Sequence, residues 1–212
     1  MDNPVIIFGA GGLGRAALEI FESNGNVVYG FLDDHKELHG TEIDNVSVLG
    51  DTSDDGYLKL IGKKCEAFVA SDDNKEKKSL AKMLTGKRKK MPVNAVHNTV
   101  EMAKTSHIGH GNFINAGAVV GAGTEIGNHC LLHTGAIVDH SCKLGDLVQI
   151  GARAVVSSGV QIEDDVFIGS GSVIVSGVKI GKGARIGAGS VVIADVEAKS
   201  TVFGNPAAEI KK

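Results

Sequence analysis

An aliphatic side chain stands at every sixth position from Val96 to Val192, without a break. A small or β-branched residue follows four positions after each of them, and Asn112 is the one poor fit to this second series. A period of six matches neither the period of a helix nor the two-residue alternation of a strand. Hexapeptide repetition predicts a parallel β-helix, in which three six-residue faces close a coil of about 18 residues. The repeated aliphatic side chains then stack inside the coil.

The residues before the repeat predict a small α/β domain. Val5–Phe8 form a short apolar run typical of a strand that is covered on both faces. Apolar residues then recur at helical spacing as far as the sequence "NG", which ends the predicted helix. A second strand ends at Asp33 and Asp34, a third spans residues 67–70 and leads to Ser71, and "KEKKSLAKMLTGK" predicts a charged surface helix.

Gly9, Gly11 and Gly14 match the pattern G-x-G-x-x-G between the first strand and the first helix. In such a turn the backbone N–H groups approach a phosphate at the positive end of the helix. Nucleotide-sugar binding is the favoured interpretation, because a complete dinucleotide-binding domain needs more strands than this segment holds. Nicotinamide binding and a purely structural turn are the alternatives. Asp33 and Asp34 can hold a ribose, a base or an amino group, or they form a solvated turn.

The basic segment "GKRKKMPVN" predicts the boundary between two domains, residues 1–90 and 91–212. The net charge of −3, with 4% aromatic residues and no Trp, gives no electrostatic or stacking signature for nucleic acid. No signal peptide and no apolar run of membrane-spanning length is expected, so the predicted location is cytoplasmic with no membrane partner. Cys130 and Cys142 fall on the small interior position and are expected to be buried, inert thiols.

Six histidines lie in the repeat region: His97, His107, His110, His129, His133 and His140. Their spacing follows no zinc-binding pattern, so no metal is expected. Each taken alone is most simply a surface residue. His140 differs because of its neighbours in "HTGAIVDHSCKLGD".

At this point the sequence resembles the NeuD/PglD-type sugar acetyltransferases of the hexapeptide-repeat acyltransferase superfamily. The resemblance covers essentially the whole chain and includes "FGAGGLG", "GFLDD", the hexads, the Val-Asp-His block and the terminal "GNPAAEI". It implies an α/β + β fold, with a small Rossmann-like N-terminal domain followed by a left-handed parallel β-helix. It also implies a homotrimer with active sites between subunits.

The resemblance implies that His140 is the general base of a direct transfer from the co-substrate acetyl-CoA, without a covalent enzyme intermediate. An imidazole suits this role because it exchanges protons near neutral pH. Ser141 stands where the family often has an acidic residue that orients the base, and Asp139 points the other way if side chains alternate. Gln149 stands where some relatives carry His, and His133 is a further candidate for a supporting hydrogen bond.

The same resemblance implies two sets of binding residues. Acetyl-CoA contacts are expected at Gln149, Ser170 and Ala188, the last two lying one coil apart on one side of the helix. Contacts with the nucleotide-activated amino sugar or sialic acid are expected at Gly11, Gly12, Leu13, Asp33, Asp34 and Ser71.

The leading hypothesis is therefore an acetyltransferase that acts on the amino or hydroxyl group of a nucleotide-linked amino sugar or a sialic-acid-like sugar. A non-catalytic β-helix scaffold that binds a nucleotide sugar is the main alternative, supported by the missing acidic residue after His140. A nicotinamide-dependent enzyme and a zinc-dependent β-helix resembling the carbonic anhydrases are further alternatives.

Overall fold

The computed structural model describes residues 3–210. By its internal contacts the chain divides into two compact units, with the division between Asn98 and Thr99. This division lies a few residues after the boundary that the basic segment predicts. Within residues 3–210 no helix is long and apolar enough to cross a membrane.

The first unit is a five-stranded sheet with helices, which is the predicted Rossmann-like domain. Its strands are β1 Val5–Phe8, β2 Val28–Leu32, β3 Glu42–Ile43, β4 Val46–Gly50 and β5 Glu66–Val69; β6 Ala95–Val96 follows later in the chain and is not part of this sheet. Its helices are α1 Gly12–Ser23, α2 Asp55–Leu58 and α3 Asn74–Arg88, with a single 3₁₀ turn at Lys36–Leu38. The sheet order is β3-β4-β2-β1-β5. All neighbours in it are parallel except β3 and β4, which form an antiparallel hairpin.

The apolar run of β1 is explained by its place in the middle of this sheet. All four of its residues are fully buried, as expected for a parallel strand covered on both faces. Phe21 of α1 and Phe68 of β5 pack edge to face with their ring centres 5.6 Å apart. The sheet thus forms a rigid base whose strand ends carry the loops of the first unit.

The second unit is the left-handed parallel β-helix, built from two-residue strands on three faces. Face one carries β7 Glu101–Met102, β10 Val119–Val120, β13 Ile137–Val138, β16 Val155–Val156, β19 Val173–Ile174 and β22 Val191–Val192. Face two carries β8 His107–Ile108, β11 Glu125–Ile126, β14 Lys143–Leu144, β17 Gln161–Ile162 and β20 Lys179–Ile180. Face three carries β9 Phe113–Ile114, β12 Leu131–Leu132, β15 Gln149–Ile150, β18 Phe167–Ile168 and β21 Arg185–Ile186, followed by the hairpin β23 Thr201–Gly204 and β24 Ala207–Glu209.

The register of the coil follows the six-residue period of the sequence. Strands of successive coils pair in parallel, as in Val119 with Ile137 and Ile137 with Val155. From Ile114 to Val192 the second residue of each two-residue strand is buried in the interior of the coil. From Gly111 to Gly189 the third residue of each turn has a positive φ, which glycine adopts at Gly135 and Gly171 (φ 66° and 68°) without steric cost. We call the turns after faces one, two and three the first, second and third corners.

Candidate functional site

A cavity of about 300 Å³ opens in the first unit where the strands β1, β2, β4 and β5 end. The carboxyl ends of parallel strands are where open α/β sheets bind their ligands. Its lining comprises Gly9, Gly11, Gly12, Leu13, Asp33, Asp34, His35, Thr52, Ala70, Ser71, Asp72, Glu76 and Leu80. The structure therefore brings all six residues of the predicted sugar-nucleotide site to one cavity, and their role in binding stays a prediction.

The four glycines of this turn, the three of the motif and Gly12, have two different physical roles. Gly9 has φ 108°, and a Cβ at this position would stand 2.5 Å from the carbonyl oxygen of Ala70. A Cβ at Gly14 would collide with the carbonyl of Gly9, so both glycines allow the turn to pack closely. A Cβ at Gly11 or Gly12 would meet no atom within 4 Å. Those two glycines leave open space on the side of the cavity.

Asp33 is a buried carboxylate that holds the glycine turn in place. Its Oδ2 accepts a hydrogen bond from the N–H of Ala10 at 2.7 Å. Its Oδ1 accepts from the N–H of His35 at 2.9 Å and lies 2.7 Å from Nδ1 of the same residue. Burial acts to raise the pKa of Asp33, but the hydrogen bonds from Ala10 and His35 outweigh it, and the pKa lies below its usual value. Asp33 is therefore ionised and structural as well as a cavity residue.

The other predicted polar residues of the cavity are also engaged with protein groups. Asp34 Oδ1 accepts from both the N–H and the hydroxyl of Thr52, each at 2.9 Å. The hydroxyl of Ser71 donates to Glu76, the first acidic residue of α3. Sequence reasoning missed His35, Thr52, Asp72 and Glu76, although each follows the end of a strand or begins the next helix. The hairpin of β3 and β4, which delivers Thr52, gave too short a pattern to predict.

His140 lies on the first corner of the β-helix, exposed to solvent. Its Nδ1 is 3.3 Å from the hydroxyl oxygen of Ser141. The carboxylate of Asp139 accepts from the backbone N–H of His140 at 2.7 Å, so it fixes the corner. Ser141 thus contacts the imidazole at the place where the family often has an acidic residue.

The three residues predicted to contact acetyl-CoA lie on face three and on the corner that follows it. Gln149 is the outward residue of β15. Ser170 and Ala188 occupy successive coils of the third corner, because the N–H of Gly189 donates to the carbonyl of Ser170 at 2.9 Å. His140 lies on a different corner, separated from these two by the width of face one. Within one copy of the coil, face one therefore lies between His140 and the predicted acetyl-CoA residues of the third corner.

The three cysteine thiols lie in the interior of the protein. Cys65, Cys130 and Cys142 are free and buried, and burial raises the pKa of the Cys142 thiol, which keeps it protonated. Residues 3–210 hold no group of three or more His, Cys, Asp or Glu side chains that could bind a metal ion.

Two family profiles match the chain, one in each unit. The PglD N-terminal domain matches residues 4–84. The bacterial transferase hexapeptide profile (six repeats) matches residues 123–158, 141–176 and 159–194. No curated protein sequence matches the chain.

Solved structures match the chain from end to end. PerB from Caulobacter crescentus, in complex with CoA and GDP-perosamine, is 29% identical with a TM-score of 0.88, covering 100% of this chain and 99% of that one. A second structure is a variant of GDP-perosamine N-acetyltransferase from the same organism, with alanine in place of one histidine, in complex with the same two ligands. Its sequence is 28% identical to this chain, with a TM-score of 0.89 and the same coverage. The acetyltransferase domain of PglB from Neisseria gonorrhoeae, in complex with acetyl coenzyme A, is 26% identical with a TM-score of 0.88, covering 99% of this chain and 100% of that one.

The fold and the two profiles define the class: the chain is a hexapeptide-repeat transferase with a Rossmann-like domain ahead of its β-helix. Within that class it belongs to the NeuD/PglD-type sugar acetyltransferases. The resemblance stated from the sequence is thereby confirmed.

Proposed function

We propose that the protein transfers the acetyl group of acetyl-CoA to the amino group of a nucleotide-linked amino sugar. The observation that carries this proposal is the end-to-end match with an enzyme that holds CoA and GDP-perosamine. The cavity of the first unit supports it, because a glycine turn at the start of a helix is suited to the phosphates of a nucleotide. Cofactor chemistry beyond acetyl-CoA is not needed for this reaction.

In the proposed reaction His140 is the general base. The sugar amine attacks the thioester carbonyl, the new C–N bond forms, and the C–S bond breaks to release CoA. The ammonium must lose its proton for this attack, and an exposed imidazole can take it. Ser141 is a positioning residue, because its hydroxyl contacts Nδ1 of the ring and leaves Nε2 to face the acceptor.

The third corner and face three supply the proposed acetyl-CoA surface. Ser170 and Ala188 are exposed and stacked, as an extended pantetheine arm requires. Gln149 on the neighbouring strand adds an amide that can donate to or accept from it. Since His140 lies on another corner, the reacting groups meet most simply when a second copy of the β-helix brings its own corner alongside.

A homotrimer is the assembly that we propose, and face one of the β-helix supports it. The outward residue of β7 is Glu101, and those of the five strands that follow on this face are Val119, Ile137, Val155, Val173 and Val191. The equivalent residues of face two are polar: His107, Glu125, Lys143, Gln161 and Lys179. Ile193 and Val175 extend the apolar surface of face one and are 58% and 39% exposed. A contiguous apolar patch of this kind marks an interaction surface, and head-to-tail contacts between copies close into a ring.

The reaction is tested by measuring thiol release from acetyl-CoA with a panel of UDP- and GDP-linked amino sugars, CMP-sialic acid and free sialic acid. Release with an amino sugar, and its loss in His140→Ala with an unchanged melting temperature, is the expected result. Release with the sialic acids alone would replace N-acetylation by O-acetylation. Absence of release with every acceptor, while acetyl-CoA and a nucleotide sugar both bind, would favour the non-catalytic scaffold.

A further inference from the structure

His35 carries the only basic side chain among the described residues that line the cavity of the first unit. The cavity also contains four carboxylates, those of Asp33, Asp34, Asp72 and Glu76. A nucleotide sugar would bring a diphosphate with two further negative charges into this space. Its binding therefore depends on the few sources of positive potential that the cavity offers.

The start of α1 is the first of these sources. Gly11, Gly12 and Leu13 line the cavity, and the first turn of α1 contains no acidic residue. The partial positive charge of the helix terminus is therefore not neutralised within the helix.

The imidazole of His35 is the second source, and the carboxylate of Asp33 links it to the first. One oxygen of Asp33 holds the N–H of Ala10 in the glycine turn, and the other lies 2.7 Å from Nδ1 of His35. The side chain of His35 is nevertheless 72% exposed, so its far edge is accessible to a ligand. The backbone carbonyl of Asp33 lies 2.7 Å from Nε2 of His39, which belongs to the same loop.

The contact with Asp33 decides what the far edge of the ring can do. In the neutral ring Nδ1 donates to Asp33, and Nε2 can only accept a hydrogen bond. In the protonated ring both nitrogens donate, and Nε2 can donate to a phosphate oxygen as a cation. The ring thus attracts a phosphate only when it is protonated.

We infer that the imidazolium of His35 binds the diphosphate of the nucleotide sugar beside the start of α1, with Asp33 as its positioning residue. This inference rests on the proposed function, whose acceptor carries that diphosphate. The pKa of His35 is raised mainly by its hydrogen bond with Asp33 and by the negative charge of that carboxylate. The charge of Glu37 raises it further, and the charge of Glu76 contributes less. The other charged groups at the cavity, Asp34 and Asp72, are acidic too. The protonated ring therefore persists to a higher pH than in a free histidine, and nucleotide-sugar affinity falls as the pH rises through that raised pKa.

The experiment measures the dissociation constants of GDP-mannose and UDP-N-acetylglucosamine by calorimetry between about pH 6 and pH 9. These probes are chosen because a diphosphate diester carries constant charge over this range. Guanosine and uridine, which lack the diphosphate, are titrated in parallel. His35→Gln removes the charge, and His39→Gln is the matched control, because His39 belongs to the same loop and contacts the same aspartate.

We expect at least one of the two probes to bind the wild type about tenfold more weakly at the high end of the range, the effect of losing one charge-assisted hydrogen bond. His35→Gln should bind that probe about tenfold more weakly at the low end and show a flat profile. His39→Gln should keep the slope, and the nucleosides should show none.

Two results would overturn the inference. Equal affinity and equal slope in wild type and His35→Gln would remove His35 from the phosphate site while leaving the proposed function intact. If neither probe binds the wild type at any pH, the nucleotide-sugar class of acceptor fails together with the inference.

Discussion

Asn112 shows at the scale of one residue how the β-helix accepts a polar side chain in its interior. It is fully buried, and the sequence marked it as the poorest fit to the repeat. Its Nδ2 donates to the carbonyl of Gly127 at 3.0 Å, and its Oδ1 accepts from the N–H of Cys130 at 2.7 Å. The amide therefore satisfies backbone groups of the next coil, and a buried polar group with partners costs little.

Ser141 should affect the rate and leave the binding of substrates unchanged. Its hydroxyl contacts Nδ1 of His140, and a neutral hydrogen bond contributes about 0.5–1.5 kcal/mol. Ser141→Ala is therefore expected to lower kcat about two- to tenfold with KM unchanged. Ser158→Ala, one coil further along the same corner, is the control and should leave kcat as it is. A change in KM for acetyl-CoA in Ser141→Ala would instead make Ser141 a binding residue.

The Asp33–His35 contact should make stability depend on pH in a defined direction. The folded pKa of His35 lies above its usual value. Its contribution to stability is therefore fully present below the unfolded pKa and is lost as the pH rises through the folded pKa. Between about pH 6 and pH 9 the free energy of unfolding in urea should fall more in wild type than in His35→Gln. His107→Gln, in the other unit, should follow the wild type, and parallel curves for all three proteins would contradict the expectation.

At the scale of elements, the glycine turn and α1 form one closely packed piece. Gly14 approaches the carbonyl of Gly9 more closely than any side chain permits. Asp33 fixes Ala10 between them through its hydrogen bond. The start of α1 is therefore held in place from both sides before any ligand arrives.

Gly14→Ala should destabilise the first unit because the new Cβ would meet a rigid backbone carbonyl. Overpacking of this kind typically costs about 1–3 kcal/mol. Gly86→Ala in α3 is the matched control, since a Cβ there meets nothing within 4 Å. It should stabilise by about 0.5–1 kcal/mol, because alanine is the better helix former. Thermal or urea unfolding of both variants measures the difference, and equal stability of the two would mean that the turn moves freely.

The elements that the sequence predicted are those with a long or continuous pattern. The coil from Ile114 to Val192 repeats one six-residue pattern many times, so its register could be predicted to the residue. A continuous apolar run indicated β1, and a highly charged segment indicated α3. The hairpin of β3 and β4 is too short for any period to appear. Thr52 and Glu76 reach the cavity only through tertiary packing, which a pattern along the chain does not encode.

At the scale of the whole molecule, the proposed assembly depends on face one. Its outward side chains are aliphatic in five successive coils, whereas those of face two are charged or polar. The period of six predicts which residues point inward but does not distinguish the three faces from one another. The difference becomes visible only when residues 18 apart are read together.

Val155→Glu should weaken the proposed trimer, because it places a charge at the centre of the aliphatic column of face one. Burying an unpaired charge at an interface is strongly unfavourable. Gln161→Glu, at the equivalent outward position of face two, is the control and should leave the assembly unchanged. Light scattering with size-exclusion chromatography measures the mass of both variants. A wild-type mass of one chain, or an unchanged mass in Val155→Glu, would contradict the assembly.

The stacking of Ser170 on Ala188 has a consequence for how such a chain can change in length. Loss of six residues between His140 and Ser170 would turn every later residue onto a different face and would move Ser170 away from the third corner. Loss of a whole coil would shorten the column and leave each remaining residue on its original face. A change in the number of coil residues between His140 and Ser170 therefore keeps both of them on their original corners when it adds or removes complete coils.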